Sequence, residues 1–265
     1  MTELEFIQST LDELAVFVRQ KYAMRESLSI TAKRDPNDLV TEVDLAVQEE
    51  IQRRIAQIFP GDAIVGEENG MTGFPSGSDT RAWVIDPIDG TQNFVRGLFP
   101  AYGISLGFAV GGIPVAGGVA VPGNGQLFLA EKGEGAFRNG ERIHVSTIDQ
   151  ISHMRAEVDF AGMVDRVATL RHFGPLIETV GQVRCHCAAV IGLCSIATGD
   201  MDAYVHVTLN PWDYAAGMII VQEAGGMVTR LDGAPINLFD GGNGVLGSNG
   251  VIHDELSALT MKGAV

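Results

Sequence analysis

From Gly97 to Ala130 the chain runs 34 residues without a charged side chain. A stretch of that kind must leave water, either in a protein core or in a membrane. It exceeds the ~20 residues that a spanning helix needs. Its composition argues against such a helix, because nine of the residues are glycine and Pro100, Pro114 and Pro122 interrupt it. Gly111-Gly112 divides it into ISLGFAV and IPVAGGVAV, both rich in β-preferring residues. A glycine pair between two such runs predicts a hairpin turn. The segment is read as a buried antiparallel meander with strands over 102–110, 113–121 and 127–130, and no transmembrane helix is expected.

The flanking patterns are helical at first. Leu4, Ile7, Leu11, Leu14, Phe17 and Val18 share one face of a helix over 4–22. Val43, Val47, Ile51, Ile55 and Ile58 do the same over 41–59, and Pro60-Gly61 stops that helix. Short strands are predicted at 63–65 and 83–85, and Asn139-Gly140 marks a later turn. Beyond residue 150 strands and helices alternate: strands at 156–158, 183–185 and 202–207, helices at 163–180, 188–198 and 213–224, the last ended by Gly225-Gly226. The expectation is an α+β half over 1–148 and an α/β half over 149–265, packed as one unit.

Lysine and arginine number 18 against 33 acids, a formal net charge of −15. That lacks the basic footprint of a general nucleic-acid or anionic-membrane binder. Three cysteines do not make a disulfide framework, and MTELEFIQST has no basic region leading into an apolar one, so a cytoplasmic setting is the expectation. Three short motifs are set aside. Gly103-x-Ser105-x-Gly107 has the nucleophile-elbow spacing, but Ser105 sits within the strand pattern rather than at a strand-to-helix turn. Gly242-x-Gly244-x-x-Gly247 leaves too few residues after it for a dinucleotide-binding unit. Cys185-His186-Cys187 with Cys194 invites a zinc reading, yet its cysteines are closer than the usual two-to-four-residue separation. A strand would put Cys185 and Cys187 on one face, and the cysteines are expected as small buried hydrophobes.

Four separated segments carry acids at the ends of elements: Asp38-Leu-Val-Thr41-Glu-Val-Asp44, Gly66-Glu67-Glu68, Asp86-Pro-Ile-Asp89-Gly90-Thr91 and Trp212-Asp213. Each has an ordinary explanation. Thr41 and Asp44 form a capping signature, and acids near helix starts complement the dipole. Glu67 and Asp86 resist that explanation, because each directly follows a short apolar run (AIVGEE, WVIDPIDG) and so ends a strand. If the segments converge, two carboxylates ~4 Å apart repel by about 4 kcal/mol at an effective dielectric of 20. The cluster must then bind protons or cations. Its donors are hard oxygens from Glu67, Asp86, Asp89, Asp213 and the Ile88 carbonyl, which suit Mg²⁺ or Mn²⁺ rather than zinc. The Asp89-Gly90-Thr91 turn leads into a predicted helix whose first N–H groups can seat an anion, an arrangement suited to phosphoryl transfer.

Lys33 with DLVTEVD, GEE, WVIDPIDGTQNF, and WDYAAG followed by EAGG, in this order over residues 33 to 226, closely resemble the inositol monophosphatase family of Mg²⁺-dependent, lithium-sensitive phosphatases. The resemblance implies a layered α-β-α-β-α sandwich of the sugar-phosphatase type, with an antiparallel N-terminal sheet and an α/β C-terminal half, usually as a homodimer. It implies two or three Mg²⁺ per site: Glu67, Asp86, Thr91 and the Ile88 carbonyl on the first, Asp86, Asp89 and Asp213 on the second, and Glu67 helping with a weaker third near Lys33. Thr91 paired with Asp44, and Glu67, would orient and deprotonate the attacking water. Asp89 and the backbone of Gly90 and Thr91 would meet the phosphate.

Departures from the family pattern lie in the substrate half. His206 stands where inositol phosphatases carry a glutamate, seven residues before Asp213. Cys187 replaces a family glycine ahead of Ala188-Ala189, while Arg184 fits the family arginine. Residues 156–163 lack a clear match to the family's substrate loop. An imidazole in place of a hydroxyl-binding carboxylate should change which alcohol is recognised. The leading expectation is a phosphomonoesterase acting on a small polyol or sugar phosphate. Fructose 1,6-bisphosphate, histidinol phosphate and nucleotide 3′-phosphates stay open within that class. The alternatives outside it are a transcription-associated regulatory protein on the same fold and a zinc protein.

Overall fold

The computed structural model describes every residue except 34–37, 70–74, 99, 161–165 and 264–265. Its helices are α1 (Glu3–Ala23), α2 (Glu42–Ile58), α3 (Thr91–Arg96), α4 (Arg166–Thr179), α5 (Ala189–Ala197), α6 (Pro211–Glu223) and α7 (His253–Lys262). A small antiparallel pair, β1 (Ile30–Ala32) and β2 (Leu39–Thr41), precedes α2. The strands β3 (Ala63–Gly66), β4 (Arg81–Asp89), β5 (Gly103–Val110), β6 (Ile113–Val121), β7 (Gln126–Glu131), β8 (Gly135–Arg138) and β9 (Glu141–Arg142) form one sheet in sequence order. All its pairings are antiparallel except β3 with β4. A second sheet takes β10 (Arg155–Val158), β11 (Gln182–Arg184), β12 (Ala203–Leu209), β13 (Met227–Arg230) and β14 (Asn243–Ser248), in the order β11-β10-β12-β14-β13.

Helices α1 and α2 cover one face of the first sheet, α5 and α6 lie between the two sheets, and α4 and α7 cover the outer face of the second. The result is the α-β-α-β-α layering that the family resemblance implies. The meander falls at β5, β6 and β7, and both turn glycines have positive φ, +58° at Gly111 and +80° at Gly112, as a type I′ hairpin requires. Ser105 is a buried strand residue that donates to the Trp212 carbonyl. Helix 163–180 begins at Arg166 among the described residues, and positions 163–165 lie outside them. The antiparallel β13 and β14 and the closing α7 had no clear signal. Gly244 and Gly247 are strand residues of β14 rather than a phosphate loop.

The charge-free run is glycine-rich because its strands are covered on both faces. A Cβ at Gly117 would lie 2.7 Å from Ile219 Cγ2 and 2.9 Å from Ala216 Cα, both on α6. At Gly118, on the opposite face, it would lie 2.6 Å from Ile7 Cγ2 and 2.7 Å from Leu11 Cδ1 on α1. Helix α6 is itself apolar on nearly all sides, with residues from Pro211 to Val221 buried apart from Asp213, as a middle-layer helix must be. Gly117→Val should therefore overpack the α6 interface and destabilise the protein by about 1–3 kcal/mol, read as a lower urea midpoint at unchanged slope.

Candidate metal centre

Parallel pairing of β3 and β4, with Gly66 opposite Ile85, brings their C-terminal ends to the same edge. Glu67 follows β3 directly, and Asp86 and Asp89 sit at the end of β4. Residues three apart on a regular strand point to opposite faces. The β4–β5 register shifts between Asp86 and Asp89, which pair with Ser105 and Gly103, so one extra residue is accommodated there. This bulge lets both carboxylates serve one cluster. Gly90, at φ +82°, then turns the chain into α3.

Helix N-termini bring in the remaining acids. Asp44 is the third residue of α2, and its Oδ2 accepts the Thr41 N–H at 2.8 Å and the Thr41 hydroxyl. Asp213 occupies the same place in α6, where Oδ2 accepts the Asn210 N–H at 2.7 Å. Asp89 Oδ2 accepts the Val190 N–H of α5 at 2.7 Å. The capping explanation is thus correct, and it occupies only one oxygen of each carboxylate. The other oxygen of Asp44, Oδ1, faces the Thr91 hydroxyl at 3.1 Å, and the Ile88 carbonyl lies 2.9 Å from that same hydroxyl.

Asp86 is fully buried, and its Oδ1 has no hydrogen-bond partner among the described residues. Burial first, and then the charges of Glu67, Asp89 and Asp213, push its pKa well above the carboxylate range. Burial and Asp213 raise Asp89 in the same way against the Val190 N–H. Burial and Glu67 push Asp213 up to about 7. Lys33 donates to Glu67 Oε1 and Glu68 Oε1, both at 2.8 Å. Burial opposes its charge, but Glu67 and Glu68 outweigh that and hold the ammonium protonated. Glu68, raised by burial to about 7, is a neighbour the sequence reading did not single out. Among the described residues no lysine or arginine pairs with Asp86, Asp89 or Asp213. One ammonium at the Glu67 side does not neutralise the three clustered acids. An oxygen-only donor set with an unsatisfied buried carboxylate oxygen fits a hard divalent cation such as Mg²⁺.

Beside the acids lies a cavity of about 160 Å³ lined by Asp89, Asp213, Ala188, Ala189 and His206, together with Asp159, Cys187 and Tyr204. His206 is mostly buried, and its Nδ1 accepts the Thr208 N–H at 3.1 Å. Arg184 stands apart: it is exposed on β11, with its guanidinium donating to the Val183 carbonyl and Gln182 Oε1. The cysteine expectation needs correction. Only Cys194 is buried, while Cys185 and Cys187 are exposed. β11 is an edge strand that ends at Arg184, so the strand geometry assumed for Cys185–Cys187 does not apply. Cys187 adopts φ +55°, a left-handed conformation that costs an ordinary residue roughly 1–2 kcal/mol and that suits the glycine of the family pattern. Asp159 was missed: it directly follows β10, but that strand reads Arg-Ala-Glu-Val and carries no apolar run to mark it.

A family profile described as the inositol monophosphatase family matches residues 2–262. The Aquifex aeolicus "Fructose-1,6-bisphosphatase/inositol-1-monophosphatase" is 35% identical over 232 residues, covering 87% of this chain and 84% of that protein. The solved Thermotoga maritima IMPase superposes with a TM-score of 0.86 at 33% identity, covering 100% of this chain and 98% of its own. An IMPase/NADP phosphatase solved with Mg²⁺ and phosphate gives 0.83 at 26% identity, covering 96% and 93%. The chain belongs to the inositol monophosphatase family, a metal-dependent family of phosphoric monoester hydrolases.

Removal of metal should make stability strongly dependent on pH. The folded protein without metal holds protons on Asp86, Asp89 and Asp213 that the unfolded chain releases near pH 3.9. That stability is present below about pH 4 and lost as pH rises through the folded values, about 7 for Asp213. In EDTA the melting temperature should therefore fall from about pH 5 to about pH 7.5. The gain on adding Mg²⁺ should be larger at about pH 8 than at about pH 5.5, where protons compete.

Proposed function

We propose that the chain hydrolyses the phosphate monoester of a small polyol or sugar, with Mg²⁺ held by Glu67, Asp86, Asp89, Asp213 and the Ile88 carbonyl. The observation that carries this reading is the convergence of buried Asp86 with half-buried Asp89 and Asp213, with no lysine or arginine paired to them among the described residues and one oxygen of Asp86 unsatisfied. When bound, Mg²⁺ supplies Lewis-acid polarisation of the phosphate and a lowered pKa for the attacking water.

The residues around that centre handle the proton. Asp44 Oδ2 is fixed by Thr41, so Oδ1 faces the Thr91 hydroxyl in a set direction. When Thr91 gives its proton to Asp44, its oxygen can accept one from the attacking water. Burial raises the pKa of Asp44, which makes it a better acceptor for that relay. Glu67 lies on the same side, steadied by Lys33. Asp89 and the backbone at Gly90 and Thr91 face the phosphate in this proposal, and the cavity beside Ala188, Ala189 and His206 takes the alcohol. His206 Nδ1 accepts a backbone N–H, so a neutral ring carries its proton on Nε2. An imidazole thus stands where the family's inositol enzymes carry a carboxylate acceptor. The substrate is accordingly proposed as a sugar or polyol ester other than a close copy of inositol 1-phosphate. A bisphosphorylated sugar is the second reading, favoured by the double name of the Aquifex aeolicus relative.

The proposal includes two or three Mg²⁺ per site, Mn²⁺ as a substitute, lithium sensitivity, a homodimer and a cytoplasmic setting. No helix among the described residues is long and apolar enough to cross a membrane. A panel of phosphate monoesters assayed with and without Mg²⁺ tests the reaction. Asp89→Asn should lower kcat by about 10²–10⁴-fold, the equivalent of several kcal/mol of transition-state stabilisation. Wild-type turnover after exhaustive EDTA treatment would count against the whole reading. Thr91→Ala should lower kcat by about 10²–10⁴-fold, and Thr91→Ser should recover most of that loss.

A further inference from the structure

A second group of side chains has the chemistry of a softer metal site than the carboxylate cluster. Cys185 Sγ and Cys187 Sγ lie 3.5 Å apart just beyond β11, and with an oxygen of Asp159 all three atoms fall within 4.8 Å of one another. We infer that Cys185, Cys187 and Asp159 form a zinc-class metal site at the substrate side of the cleft.

Geometry, backbone and surroundings support it independently. Two thiolates on one tetrahedral zinc, with Zn–S about 2.3 Å, stand about 3.8 Å apart, which the present sulfurs reach with a shift of a few tenths of an ångström. Cys187 places its sulfur there from a left-handed backbone that favours glycine. A strained position occupied by a metal-ligating side chain points to a function for that side chain. Asp159 is 2% exposed and already oriented, with Oδ1 accepting the Cys187 N–H at 2.8 Å and Oδ2 facing the Tyr204 hydroxyl at 3.3 Å. Such bonds to a ligating carboxylate are the outer support that metal sites use. Among the described residues Asp159 forms no ion pair with a lysine or arginine. His186 is pulled the other way, its Nδ1 2.9 Å from Glu157 Oε2 and its N–H bonded to Glu157 Oε1, which fixes the turn between the two thiols.

Thiolate ligands select zinc over magnesium, so the two centres sort their ions by softness although both border the same cavity. Three protein ligands leave a fourth position for a water or a substrate oxygen.

Co²⁺ is the probe. Titrated into the reduced full-length protein in excess Mg²⁺, one equivalent should produce thiolate-to-cobalt charge-transfer absorption with the intense visible bands of tetrahedral Co²⁺, and Zn²⁺ should bleach both. Cys185→Ser and Cys187→Gly should each abolish the charge-transfer band, and Asp159→Asn should weaken Co²⁺ affinity by about 10–100-fold. Cys187→Gly suits its backbone and should melt a few degrees higher than wild type, so its loss of the band cannot come from misfolding. No thiolate band in the wild type would overturn the inference. So would a band that survives either cysteine substitution, or one abolished by Cys194→Ser alone.

Discussion

Mutual repulsion among buried carboxylates is the constraint on which the functional half of this protein depends. Buried Asp86 and half-buried Asp89 and Asp213 share one neighbourhood, where Asp89 and Asp213 raise the pKa of Asp86 and Asp213 raises that of Asp89. The helix ends that hold Asp89 and Asp213 supply one backbone N–H each and a favourable dipole worth about 0.3–1 kcal/mol. A single close pair of like charges costs about 4 kcal/mol. Helix dipoles alone do not offset it, and Lys33 reaches only Glu67 and Glu68. The fold therefore holds these acids in a state that requires protons or a hard cation.

The rest of the architecture makes that crowding possible. The acids stand on the ends of β3 and β4 and on the first turns of α2 and α6, elements locked by packing on several sides. Helix α6 can sit between two sheets because it is apolar all round and because Gly117 lets its backbone approach β6. Sites on such rigid elements keep their geometry better than sites on loops. The glycine-rich meander and the acid cluster are thus linked: the first lets the middle helices close onto the sheet, and α6 carries Asp213 into the centre.

Much of this was legible in the sequence where local chemistry decides structure. The Gly111-Gly112 hairpin has few alternatives, since both residues need positive φ. The T-x-x-D box of α2 appears with both of its bonds. Acids directly after apolar runs marked Glu67 and Asp86, whereas Asp159 follows the charged strand Arg155–Val158 and carried no such signal. The strands β13 and β14 were not legible, because their pairing depends on partners distant in the chain. Nor was the bulge that sets the facing of Asp86 and Asp89, since period-two reasoning places residues three apart on opposite faces. The cysteines misled for a related reason: Cys185–Cys187 follows the short edge strand β11 and leaves strand geometry altogether.

By itself the sequence determined the donor chemistry, an all-oxygen set of acids at element ends, and with it the family to which the chain belongs. Hydrophobic period, caps and turn glycines are local properties, and they also determined an antiparallel first half and an α/β second half, while the layered sandwich followed from the family resemblance. Only the tertiary structure decided which acids share one low-dielectric space, that Lys33 bridges Glu67 and Glu68, that Arg184 is exposed and does not line the cavity, and that two thiols meet a buried carboxylate beside it. The reason is physical: burial and charge–charge energies depend on distances between residues far apart in the chain, and no local pattern encodes those distances.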